Sequence, residues 1–168
     1  MSVEMATVDG FAQTNPAFFA VCIHWMCTGY ETSVRQHERE NVPAYMSPVW
    51  AMFGLALLTP SAVRKKLPER SNAKLSILLD EHPEWRAVAC DAVRGVVDPF
   101  WEAVRFGFST RIFTMVGGRL CATGAVLAPA KKTMAADLRR RAIALGAMIG
   151  HVGDELEIST IFGIEVIS

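Results

Sequence analysis

The residues whose types and spacing bear most directly on chemistry are cations in short runs. Arg64-Lys65-Lys66 with Arg70, Lys131-Lys132 and Arg139-Arg140-Arg141 form three such runs, and Arg119 follows a Gly-Gly pair. Groups of this kind hold phosphates or carboxylates. Residues 61–150 carry 15 basic and 8 acidic side chains, an excess of +7, and the rest of the chain offsets it to a formal net charge of zero. The basic middle therefore meets either a polyanion or acidic surface, the chain's own ends or a partner's. Any one run also fits an ordinary solvated helix face. Only the set, in one contiguous stretch, points toward nucleic acid or an acidic protein.

Groups that make or break bonds are poorly represented. The chain has no G-x-x-x-x-G-K-[ST], no G-x-S-x-G and no H-E-x-x-H. His24 with Cys22 and Cys27 comes nearest to a metal-ligand grouping, but on one helix the three project from different faces. No metal, no cofactor and no enzymatic role is expected. His82 near Asp80, Glu81 and Glu84 reads as a solvated turn before Pro83, and His37 as part of a polar helix tail. The four cysteines (Cys22, Cys27, Cys90, Cys121) show neither C-x-x-C nor zinc spacing and fit free thiols in a reducing cytosol. Glu4 and Asp9 stand where a signal peptide would be basic. The apolar run Val49–Leu58 is too short to span a bilayer. The expectation is a cytoplasmic protein with no membrane partner.

With 168 residues, 51% of them hydrophobic and 20% charged, the chain is long and apolar enough for one domain with a proper core. Residues 1–14 read as a lead-in and 15–168 as a single globular domain. The expected fold class is α+β, mainly helical. Its organising element is a β-hairpin around Gly117-Gly118, flanked by Arg111–Val116 and Arg119–Gly124, because a primed two-residue turn requires φ > 0. A hairpin alone is unstable in water. Phe162–Ile167 is the expected third strand. Asn15-Pro16 and Ser47-Pro48 each place a cap before a proline at the first helical position, which predicts helices over about 17–37 and 48–58. Short helices are expected around Arg64, after Ser71 or Asn72, over Glu84–Val96, and over Phe100–Phe108 after Asp98-Pro99. Thr133 caps a last long helix with Leu138, Ala142, Leu145 and Ile149 inward. Gly146 and Gly150 within it predict a close helix contact or a bend. Helices, then a hairpin, then a helix is a winged-helix-like layout.

Several short stretches, taken in order, resemble a known family. They are Asn15-Pro16-Ala17-Phe18, Pro60–Pro68 (PSAVRKKLP), Glu81–Arg86 (EHPEWR), Glu102–Gly107 (EAVRFG), the hairpin, Ala142–Gly146 and Ile161–Ile164. The series is similar to the middle component of bacterial three-component ABC-ATPase conflict systems, with a Lamassu-like defence relation. The resemblance implies a non-catalytic adaptor working with an SMC/Rad50-like ABC ATPase and an effector subunit against phage or plasmids, with DNA as a further contact. On that reading Arg64, Lys65, Lys66, Arg119, Arg139 and Arg140 face DNA or a partner. Phe18, Phe19, Trp25, Phe162 and Ile164 dock the ATPase or hold the core. Leu78 stands where many relatives carry tryptophan. The alternatives are a free-standing winged-helix DNA-binding regulator and a small enzyme of unknown class. The first is weakened because Phe100–Phe108 offers only Glu102 and Arg105 for reading bases.

Overall fold

The computed structural model describes residues 15–38, 40–125 and 127–164. Helix α1 spans Pro16–Gln36, α2 Pro48–Leu58, α3 Ser61–Arg64, α4 Leu75–Glu81 and α5 Glu84–Ser109. Strands β1 (Phe113–Val116) and β2 (Arg119–Ala122) follow, then α6 (Met134–Val152) and α7 (Glu155–Phe162). The mainly helical α+β class is the observed one. The caps read from sequence are in place: the side chains of Asn15, Ser47 and Thr133 accept from the backbone N–H of Ala17, Val49 and Ala136.

The centre of the core is the packing of α1 along α6. Three glycines make it. A Cβ on Gly29 would overlap the Ile143 carbonyl, one on Gly146 the Met26 carbonyl, and one on Gly150 would lie 2.7 Å from the Tyr30 oxygen. The expected close approach at Gly146 and Gly150 is therefore real. The helix propensity given up there is returned as backbone-to-backbone contact. Leu138, Ala142, Leu145 and Ile149 all point inward.

Three expectations need correction. Glu84–Ser109 is one helix rather than two, with Pro99 inside it. Proline removes one intrahelical hydrogen bond and crowds the carbonyl four residues earlier, but that residue is Gly95, exposed and with nothing near its missing side chain. One buried stripe (Trp85, Ala89, Val96, Phe100, Ala103, Val104, Gly107) runs through the proline, so packing on both sides overrides the break. Second, α4 starts only at Leu75, with Lys74 at the N-cap and no side-chain cap, so neither Ser71 nor Asn72 serves. Third, Phe162 closes α7, and Gly163 (φ 71°) ends that helix in the left-handed conformation. Of the expected strand over 162–167, residues 165–167 lie outside the described residues. Helix α7 itself went unforeseen, although Asp154 and Glu157 carry a capping-box spacing and the Asp154 carboxylate accepts from the Glu157 N–H at 2.9 Å.

The hairpin has the expected register, Phe113 opposite Ala122 and Val116 opposite Arg119, turning through Gly117 (φ 57°) and Gly118 (φ 76°). Its support comes from elsewhere in the chain. The Leu120 N–H donates to the Met46 carbonyl at 2.8 Å, a single antiparallel bridge. The Ala122 N–H donates to the Glu31 carboxylate at 2.7 Å, so a side chain of α1 stands in for a neighbouring strand.

Burial raises the Glu31 carboxyl pKa, opposed first by that Ala122 hydrogen bond and then by Arg35. The folded state thus holds the proton where the unfolded chain has released it. The contribution of Glu31 is full below the unfolded value of about 4.3 and is lost as pH rises through the folded one. Glu31→Gln keeps an acceptor for Ala122 and has no charge to bury. It is expected to match or exceed the parent in stability at pH 7 and to remove part of the decline between pH 4.5 and 7.5. Urea unfolding at the two pH values checks this, and a Gln variant clearly weaker at pH 7 contradicts it.

Candidate interaction surface

The fold brings two of the three cationic runs together, Arg64–Lys66 and Arg139–Arg141, and leaves Arg119 apart. Arg141, with a side chain 13% exposed, lies between α6 and the segment after α3. It donates to the carbonyls of Lys65 (3.2 Å) and Leu67, and pairs with Glu69 (3.2 Å) and Asp137 (2.9 Å). Arg140 pairs with Glu69 at 3.0 Å and Asp137 at 3.4 Å. The Arg141 hydrogen bond, outweighing burial, holds the Asp137 carboxyl below its ordinary range. Arg64 donates to the carbonyls of Leu58 (3.0 Å) and Thr59 (3.1 Å), closing the C-terminus of α2. Arg139 is half-buried beside α1, and its Nε has no acceptor among the described residues. Lys65 and Lys66 are exposed and make no ion pair among the described residues. Arg119 stands elsewhere, on β2, and pairs at 2.6 Å with Glu155 of α7.

The aromatic candidates divide in the same way. Phe19, Trp25 and Phe162 are core, at 3%, 6% and 1% exposure. The Trp25 indole donates to the Leu127 carbonyl at 2.9 Å, and Phe162 packs on Phe53 and Trp50 with ring centres 5.1 and 6.3 Å away. Phe18 and Ile164 are half-buried against that core. Ile164 also lines a mostly apolar groove of about 460 Å³ between α2, α5 and α7, whose other walls include Val49, Trp50, Phe53, Cys90 and Val93. Sequence reading did not find this groove. Its trace is that α2 is apolar on every side, so an 11-residue helix of that kind must leave part of its surface outside the core, here Val49, 51% exposed.

The histidines and the two thiols of α1 are engaged in structure. His24 is buried, and its Nδ1–H donates to the Ile112 carbonyl at 3.2 Å; burial, then the charge of Arg139, lowers its pKa and favours the neutral ring. Burial pushes the Cys22 thiol up to about 12, opposed by Arg64, and raises Cys27 well above the usual thiol range. His82 stacks on Trp85 with ring centres 4.2 Å apart. His37 and His151 meet in a polar hollow of about 380 Å³, His151 Nδ1 lying 3.3 Å from His37 Nε2 while His37 Nδ1 lies 2.8 Å from the Ser33 carbonyl. A nitrogen-to-nitrogen hydrogen bond of this kind needs at least one ring neutral. Among the described residues no three His, Cys, Asp or Glu side chains could together hold a metal ion, and no helix is long and apolar enough to cross a membrane.

No curated protein and no solved structure matches the chain. The family resembled by the ordered short motifs is found independently over nearly all of the fold. Residues 11–166 match the family described as ABC-three component (ABC-3C) system Middle Component 3, and the chain belongs to that family.

Proposed function

We propose that the chain is a non-catalytic adaptor that bridges an SMC/Rad50-like ABC ATPase and an effector subunit in bacterial defence against phage or plasmids. Membership of a middle-component family over residues 11–166 carries this reading. The use of the polar side chains supports it. His24, Trp25, Glu31, Arg64 and Arg141 all reach the backbone of another segment and brace the fold. The surface formed by Lys65 and Lys66 beside Arg64, Arg139 and Arg140 contacts DNA or an acidic coiled coil of the assembly. Arg119 adds to it only if its Glu155 pair opens.

Co-expression of the tagged chain with the ATPase component of its system, followed by sizing, tests the adaptor reading. Recovery of a stable complex is expected. A lone monodisperse chain overturns the reading, and salt-dependent DNA binding by that lone chain would identify the free-standing regulator instead. Lys65→Glu with Lys66→Glu reverses two exposed charges without touching the hydrogen bonds of Arg64 and Arg141. It is expected to weaken complex formation or DNA retention by about tenfold while leaving the melting temperature unchanged. Unaltered binding in both assays removes the basic surface from the assignment.

A further inference from the structure

The polar hollow in which His37 and His151 meet has the composition of an anion site. It lies between the C-terminal halves of α1 and α6 and the segment Ser71–Lys74 ahead of α4, and holds about 380 Å³. That is the size of a small-ligand pocket. Lys74, Ser71, Asn72 and Gln36 line it with donors, and none of these four side chains makes a hydrogen bond among the described residues. Neither Ser71 nor Asn72 caps α4. Ile143, Ala147 and Ala73 supply an apolar side. The chain has 17 Asp and Glu, yet no carboxylate lines the hollow among the described residues. The complement of such a wall is an acceptor-rich anion carrying a small organic group.

The two imidazoles make the site depend on a proton. A carbonyl only accepts, so His37 Nδ1, 2.8 Å from the Ser33 carbonyl, carries a hydrogen. His37 Nε2 then faces His151 Nδ1 at 3.3 Å with one hydrogen between them. In the neutral pair His37 Nε2 accepts from the His151 Nδ1–H, and His151 Nε2 is left as a bare lone pair that repels an anion. One added proton, on either ring, puts a hydrogen on His151 Nε2. A second would set N–H against N–H, so the pair holds a single positive charge. The outer nitrogen of His151 thus changes from acceptor to donor as the pair becomes charged. Lys74 shares the wall with the pair, and Glu157 of α7 lines with His151 and Lys74 a second hollow of about 280 Å³. Arg35 and Glu38 adjoin His37 along the chain, and Asp154 follows α6. A dianion placed beside Lys74 and the pair attracts both cations and offsets their mutual repulsion.

We propose that this hollow binds the phosphate group of a small molecule, with uptake of one proton from solvent by the His37–His151 pair. A phosphate monoester presents three strong acceptor oxygens and close to two negative charges near neutral pH, which matches a lysine, one imidazolium and several amide and hydroxyl donors. A carboxylate has two oxygens and leaves donors unmet. The phosphate of a nucleic-acid backbone is a diester with one charge. A metal ion fits poorly, because among the described residues no three His, Cys, Asp or Glu side chains come together. The inference concerns the isolated chain and stands or falls independently of the adaptor reading.

Titration of the isolated full chain with phenyl phosphate, inorganic phosphate and sulfate, read by the ring-nitrogen NMR signals of the histidines, tests this. Binding is expected to move the His37 and His151 signals and to shift His151 Nε2 from its bare toward its protonated position. Sulfate keeps both its charges across the range, so its affinity isolates the proton taken up by the protein. That affinity is expected to fall about tenfold or more between about pH 6 and about pH 8. Lys74→Gln, at an exposed side chain, should weaken all three ligands about tenfold without changing the melting temperature. His151→Gln should weaken them likewise and abolish the pH dependence. Tighter binding of phenyl phosphate than of inorganic phosphate supports an organic monoester, and equal binding supports free phosphate at the same site. Ring signals unmoved by all three anions overturn the inference, as does binding indifferent to pH and to Lys74→Gln. Zinc chloride moving the two rings where the anions do not would assign the pair to a metal. A DNA oligonucleotide without terminal phosphates that binds there as well as phenyl phosphate would assign the hollow to a diester backbone. Either result also overturns the inference.

Discussion

Gly146→Ala should cost the fold about 3 kcal/mol, more than loss of any single surface ion pair, although alanine is the better helix former by about 1 kcal/mol. The added methyl would overlap the Met26 carbonyl, which is backbone inside a helix and cannot turn aside as a side chain can. Helices α1 and α6 would have to separate along their whole contact. For a domain of 168 residues the expected fall in Tm is about 6–12 °C. Gly29→Ala, which meets the Ile143 carbonyl from the other helix, should behave alike. The same chemical change at Gly95, where a Cβ meets nothing within 4 Å, should instead stabilise the fold by about 1 kcal/mol. Urea and thermal unfolding of the three variants decide the matter. A Gly146→Ala protein within about 0.5 kcal/mol of the parent would mean that the helix crossing relaxes freely.

Phe113→Ala should be comparably severe, at about 3–5 kcal/mol. Phe113 is 1% exposed, and its ring lies directly on Gly107 of α5, where a side chain would collide with it. Phe108 meets the ring edge-on at 5.7 Å. It is the buried residue of β1, whose other three side chains face solvent, so its removal unpins the hairpin from the helices. Amide exchange should then show β1 and β2 losing protection while α1 and α6 keep theirs. Phe113→Leu, which refills much of the volume, should recover about half the loss. A loss below about 1 kcal/mol for the alanine variant would place the anchor elsewhere, at the Met46 bridge or at Glu31.

What could be read from the amino acids was local. The Gly117-Gly118 turn, the caps at Asn15, Ser47 and Thr133, and the inward stripe of α6 each depend on neighbours a few residues away, and each stands as expected. What could not be read depended on distant neighbours. Asp98-Pro99 resembles a helix start, and only the one buried face running from Trp85 to Gly107 shows why α5 runs through it. Phe19 and Phe18 are equivalent in sequence, yet one is core and the other half-buried, because the choice is made by the tertiary packing around α1. Among the cations, the adjacency of Arg140 and Arg141 to Lys65 and Glu69 spans about seventy positions of chain and leaves no periodic trace. The groove is harder still, since it is defined by what three separate helices fail to fill.

The glycine-mediated crossing of α1 and α6 also limits how this molecule can move. Where backbones touch through missing side chains, one helix cannot slide past the other without driving a carbonyl into an α-carbon, so graded shear along that pair is closed off. A force applied to the molecule would pass through the pair as through a strut. It would be taken up instead at the periphery, where weaker contacts act as releasable latches: the Met46 bridge to the hairpin and the exposed ion pair between Arg119 and Glu155.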